Sequence, residues 1–140
     1  MPYMSVAAIE LAIDAVASSF PALARTITLP ETSVEGRTIK ALHLGTSSPS
    51  TRSGVLLVGG IHAREMVNPE TLIEFAMRLC AARHASSGLA FGPKTYSSTD
   101  VQVTMDTLDI VVLPMANPDG RAYCLSAPAN AMWRKNRSNH

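Results

Sequence analysis

Hydrophobic positions fall first into a helical period. Val6, Ile9, Ile13, Val16 and Phe20 recur at that spacing with Glu10 and Asp14 among them, which predicts an amphipathic helix over residues 4–20, closed by Pro21. Arg25 to Leu29 and Thr38 to Gly45 then alternate and are rich in β-branched residues. They read as two strands paired as a hairpin across the polar turn Pro30 to Gly36. Thr46 to Gly54 is a Ser/Thr/Pro/Gly-rich loop. Val55 to Val58 is unbroken apolar sequence, the pattern of a strand covered on both faces. Asn68-Pro69-Glu70 reads as a helix start, with Asn68 as N-cap and the helix running to about Arg83 on an apolar side of Leu72, Ile73, Phe75, Ala76 and Leu79. His84 to Tyr96 reads as a loop. Ser98 to Thr107 reads as a short helix capped at Thr99 or Asp100, and Leu108 to Met115 as a second buried strand. Asn117-Pro118-Asp119-Gly120 reads as a turn, followed by a polar remainder.

Strands alternating with helices after an opening hairpin predict one α/β domain over residues 1–140, a sandwich built on a mixed sheet. In such folds ligands lie past the carboxyl ends of the parallel strands. His62 and Asn117 both follow such strands and point to one rim.

Composition narrows the classes. With 46% hydrophobic and 16% charged residues the chain is globular. A formal net charge of +1 gives no ground for a nucleic-acid partner, and no run approaches the length of a membrane-spanning helix. Two cysteines, Cys80 and Cys124, make no disulfide framework, and Cys80 reads as a buried free thiol. Residues 1–20 lack a basic n-region and are interrupted by acids, which argues against a signal peptide and for a cytoplasmic protein.

The chemistry concentrates at Val55 to Glu65. A buried strand stops at Gly59-Gly60 and at once presents His62 and Glu65, with Arg64 between them. One nitrogen and one carboxylate from a single turn suit zinc, although a His and a Glu at this spacing also occur by chance in a solvated loop. Trp133 with Arg134, Lys135 and Arg137 also has, as the lesser alternative, the composition of a solvated or phosphate-binding basic patch. His43 reads as a strand residue and His84 as a cation at a helix end.

Taken together, Gly60-Ile61-His62-Ala63-Arg64-Glu65, the Glu35-Gly36-Arg37 turn, Asn117-Pro118-Asp119-Gly120 and Trp133-Arg134-Lys135 resemble, in the same order, the motifs of the zinc carboxypeptidases, the carboxypeptidase A/B-like family. The resemblance covers roughly residues 5–140, the N-terminal portion of that family's catalytic domain. It implies a three-layer α/β/α sandwich with a mixed, mostly buried sheet, of the phosphorylase/hydrolase-like kind. It implies a metallocarboxypeptidase that hydrolyses a C-terminal peptide or amide bond with one Zn2+ ion, on peptide, cell-wall γ-glutamyl or polyglutamate substrates. Carried over residue by residue, His62 and Glu65 correspond to metal ligands, Arg64 to a substrate-binding arginine, and Arg134 to the arginine that binds substrate and stabilises the oxyanion. The family's third zinc ligand and its general-base Glu lie beyond Trp-Arg-Lys. The expectation is therefore a fragment inactive by itself, with a sheet edge left apolar and open. A non-catalytic binding module on the same fold is the alternative.

Overall fold

The computed structural model describes residues 3–45 and 52–138. Helix α1 (Val6–Ser19) is followed by β1 (Ala24–Thr28), β2 (Lys40–Leu44) and β3 (Ser53–Val58). Then come α2 (Val67–His84), a small hairpin of β4 (Leu89–Phe91) and β5 (Lys94–Tyr96), α3 (Ser98–Thr107), β6 (Leu108–Leu113), α4 (Pro118–Ser126) and a short 3-10 turn at Pro128–Asn130. The main sheet has the order β1-β2-β6-β3; β1, β2 and β6 run antiparallel, and β3 lies parallel to β6. The α/β class, the mixed sheet and the opening hairpin are as expected.

Alternation decides which face each strand residue takes. Leu42 opposes Val112 and Leu44 opposes Ile110 across β2 and β6, while Val55 and Leu57 oppose the same two residues from β3. This face packs on Ile9, Ile13 and Val16 of α1, Ile73, Ala76 and Leu79 of α2, and Val101 and Met105 of α3. The α1 trio sits at i, i+4, i+7 spacing and is wholly buried, each side chain contributing roughly 1.5–3 kcal/mol. Ser5 caps α1 by accepting the Ala8 N–H, and Asp14 anchors the helix on the hairpin through Lys40 and Thr26.

Several expectations need correction. Val55 to Val58 is not covered on both faces: Leu56 is 64% exposed and Val58 is also open to solvent, because α1, α2 and α3 all pack on the opposite face. Among the described residues β3 is an edge strand. Helix α2 starts at Val67 with Met66 as a cap that makes no side-chain bond; Asn68 instead donates to Glu65. Helix α3 is capped by Ser97, with Asp100 three residues on closing a capping box. Strand β6 stops at Leu113 because Pro114 has no N–H to continue the ladder. The stretch read as a loop holds the β4–β5 hairpin, too short for alternation to show, and held by Phe91 against Phe75 and by Arg78 donating to the Ala90 carbonyl. Asn117 to Gly120 is not a free turn but the first turn of α4. Part of the loop expected at Thr46 to Gly54, and His140, lie outside the described residues.

Cys80 and Cys124 are both buried and free, and burial pushes the Cys80 thiol up to about 11. His43 lies in β2 beside Asp109, at 3.3 Å, and His84 ends α2 against the Phe20 ring. Among the described residues no helix is long and apolar enough to cross a membrane.

Candidate metal and substrate site

Parallel β3 and β6 deliver their chain ends to the same rim, and the two segments stay joined beyond the strands. Gly59 N donates to Leu113 O at 2.8 Å, Ala116 N to Gly59 O at 3.0 Å and Asn117 N to Gly60 O at 3.1 Å. The double glycine is what allows this approach. A Cβ on Gly59 would lie 2.7 Å from the Pro114 carbonyl oxygen, and Gly60 adopts φ +60° against the Met115 backbone. The chain then swings outward, exposing Ile61 and burying Ala63, so that His62 and Glu65 come to the surface of one turn.

The His62 Nδ1 and Glu65 Oε1 atoms face each other at 2.6 Å, with side chains 34% and 44% exposed. Ligand atoms each about 2.1 Å from a tetrahedral zinc ion stand about 3.4 Å apart, so a small rotation of either side chain would admit the metal between them. One imidazole and one carboxylate are donor types that zinc accepts. Among the described residues no group of three or more His, Cys, Asp and Glu side chains converges.

The four sequence motifs form one hydrogen-bonded unit. Ala63 N donates to Arg134 O at 3.0 Å, stringing the Trp-Arg-Lys segment along the His62 loop. The Asn117 carboxamide donates to Ile61 O at 3.2 Å and to Lys135 O at 3.1 Å, and accepts the Gly120 N–H. Asp119, only 2% exposed, accepts from Ser33 Oγ at 2.7 Å, Glu35 N at 2.9 Å and Arg37 Nη1 at 2.6 Å, docking the Glu-Gly-Arg turn. Burial would raise the Asp119 carboxyl, but these three donors outweigh it and hold the group below its usual value. Arg137 completes the ring of contacts: it pairs with Glu35 and lies over the Tyr123 and Trp133 rings, at 3.9 and 5.0 Å. Arg137 is therefore committed to the fold, whereas Arg64 and Arg134 are exposed at the rim.

Residues 9–140 match the family described as zinc carboxypeptidase. The chain belongs to that family. Among curated relatives, the inactive metallocarboxypeptidase of Saccharomyces cerevisiae is 33% identical over 138 residues, spanning 96% of this chain and 29% of that protein. Carboxypeptidase A4 of Mus musculus is also 33% identical over 138 residues, spanning 97% of this chain and 29% of that protein. The chain thus covers under a third of the length of these relatives. The crystal structure of thrombin activatable fibrinolysis inhibitor superposes with a TM-score of 0.78 at 23% identity, covering 99% of this chain and 31% of that one. Carboxypeptidase A from Helicoverpa armigera gives 0.71 at 23% identity, covering 97% of this chain and 29% of that one. The fold of this chain is carboxypeptidase A-like.

Motif reading found the residues at the rim but missed those that hold the rim in place. Asp119 stood inside a recognised motif, yet its burial could not be seen without the partner turn. Arg121, 2% exposed, carried no signal at all in a polar stretch. It donates to Met4 O, Met66 O and Glu70 Oε1, tying the starts of α1 and α2 to α4.

Proposed function

We propose that this chain carries the metal-anchoring and oxyanion-stabilising part of a metallocarboxypeptidase that removes residues from the C-termini of peptides. The observation that carries the reading is the facing pair His62 Nδ1 and Glu65 Oε1, on a loop bonded directly to the Arg134 backbone. His62 and Glu65 would hold a single zinc ion, which when bound supplies Lewis acidity to the scissile carbonyl and acidity to a water. Glu65 brings anionic charge to that position, and its second oxygen is oriented by Asn68 at 3.3 Å. Arg134, whose backbone carbonyl is bonded to that loop, would meet the negative charge developing on the substrate carbonyl. Loss of such a donor costs about 10²–10³ in rate. Arg64 presents a second cation to the substrate from the turn that holds the pair.

Among the described residues no third His, Cys, Asp or Glu joins His62 and Glu65, so these 140 residues by themselves are expected to bind zinc weakly and to hydrolyse nothing. The test is metal analysis and C-terminal hydrolysis by a protein extended to the length of its relatives. One zinc per chain and chelator-sensitive activity are expected. Activity that survives both chelation and Glu65→Ala would overturn the assignment. A non-catalytic module is the second reading, favoured by the S. cerevisiae relative named as inactive; a protein of that length that binds zinc but releases no C-terminal residue would establish it.

A further inference from the structure

We propose that Asn117 is a positioning residue of the site: its carboxamide sets the spacing between the His62–Glu65 loop and the Arg134 segment. The inference rests on reading His62 and Glu65 as metal ligands. Its ground is what the two amide hydrogens bond. One goes to Ile61 O, the carbonyl immediately before His62; the other goes to Lys135 O, the carbonyl immediately after Arg134. One planar group therefore grips both segments next to the residues that would do the chemistry, and the Ala63 N–H to Arg134 O bond lies within the same bracket.

Asn117 is itself rigidly held. It is 7% exposed, its backbone N–H is bonded to Gly60 O, and its side-chain oxygen accepts the Gly120 N–H at 2.9 Å as the cap of α4. All three hydrogen-bonding capacities used here are thereby accounted for, two donors across the rim and one acceptor into the helix. The rest of the motif serves the same arrangement. Pro118 opens the helix at a position that needs no N–H. Gly120 leaves room, since a Cβ there would lie 2.6 Å from Asn117 Nδ2 and 2.7 Å from the Ala63 Cβ.

The two duties of Asn117 can be separated. Aspartate and serine cap a helix about as well as asparagine, but neither can donate two hydrogen bonds across the rim. Asn117→Asp would keep the cap and set a carboxylate against two carbonyl oxygens. Asn117→Ser would keep a capping oxygen and replace both amide donors by a single short O–H, without adding charge. The experiment measures amide hydrogen exchange in the 140-residue chain, and zinc affinity with the cobalt-substituted absorption spectrum in the full-length zinc protein. In both variants the Ala63 amide is expected to lose protection while the Arg121 amide, bonded to Asn117 O, keeps it. Zinc affinity is expected to fall about ten- to a hundred-fold, with an altered cobalt spectrum.

Zinc binding unchanged in both variants, with the wild type binding normally, would overturn the inference and leave the ligand assignment standing. A wild type that binds no zinc would instead overturn the ligand assignment, and Ala63 exchange would then decide whether Asn117 spaces the segments. If Asn117→Asp fails to fold, Asn117→Ser carries the test. Equal loss of protection at Ala63 and Arg121 would mean a helix cap and nothing more.

Discussion

Two segments leave the sheet side by side, from the ends of β3 and β6, and they handle their polar groups in opposite ways. Beyond β6, Asn117, Asp119 and Arg121 are buried, and each is bonded to two or more partners from distant parts of the chain. Beyond β3, His62, Arg64 and Glu65 reach the surface, where His62 and Glu65 chiefly answer each other. The same place in the topology has produced a scaffold on one side and an exposed polar rim on the other. A buried polar group must be satisfied by the fold, so its chemistry is spent there; groups left at the surface retain theirs for a ligand.

Substitutions should divide along this line. The largest effect is expected at Arg121: Arg121→Met removes bonds to two carbonyls and to Glu70, costing about 3 kcal/mol in urea unfolding, the low end for a buried pair. Glu70 remains 33% exposed and keeps access to water, which limits the loss. Asp119→Asn follows at about 2 kcal/mol, since three donors lose their charged acceptor. It also carries a pH signature. The folded Asp119 pKa lies below its unfolded value, so its stabilisation is full above the ordinary aspartate value of about 3.9 and disappears as pH falls through the lower folded value. Wild-type stability measured down that acid limb should fall more steeply than that of Asp119→Asn.

Gly60→Ala comes next, at about 1–2 kcal/mol for placing a side chain in left-handed backbone, read as a lowered melting temperature. The smallest effect belongs to the rim: without metal, His62→Ala and Glu65→Gln should each change stability by no more than about 0.5 kcal/mol. If either proves as costly as Asp119→Asn, the division between scaffold and rim is broken.

How much of this could be read from the sequence follows the same division. The periodic α1, the alternating hairpin and the strand ending at Gly59-Gly60 were legible because local pattern alone sets them. His62 and Glu65 were legible because their motif is contiguous. The two Asn-Pro-acid segments show the limit. Asn68-Pro69-Glu70 has the signature of a capped start, yet the cap is Met66 and α2 begins at Val67, two residues earlier than that signature places it, and Asn68 turns to Glu65. Asn117-Pro118-Asp119 has nearly the same signature and does cap a helix, though it reads as a turn because α4 behind it has little apolar period. Tertiary partners decide between the two, and spacing pairs neither Ser33 and Arg37 with their acceptor Asp119 nor the Lys135 carbonyl with its donor Asn117. The exposure of β3 escaped for a related reason: an apolar strand does not disclose whether its second face is covered.

The bond from Ala63 N to Arg134 O joins segments separated by half the chain. Closing so long a loop gains nothing until the parallel pairing of β3 with β6 has fixed both ends, and non-local contacts of this kind form slowly. The rim should accordingly be the last part of the molecule to acquire its order. In pulse-labelled refolding, the Ala63 amide should become protected after those of β2 and β6.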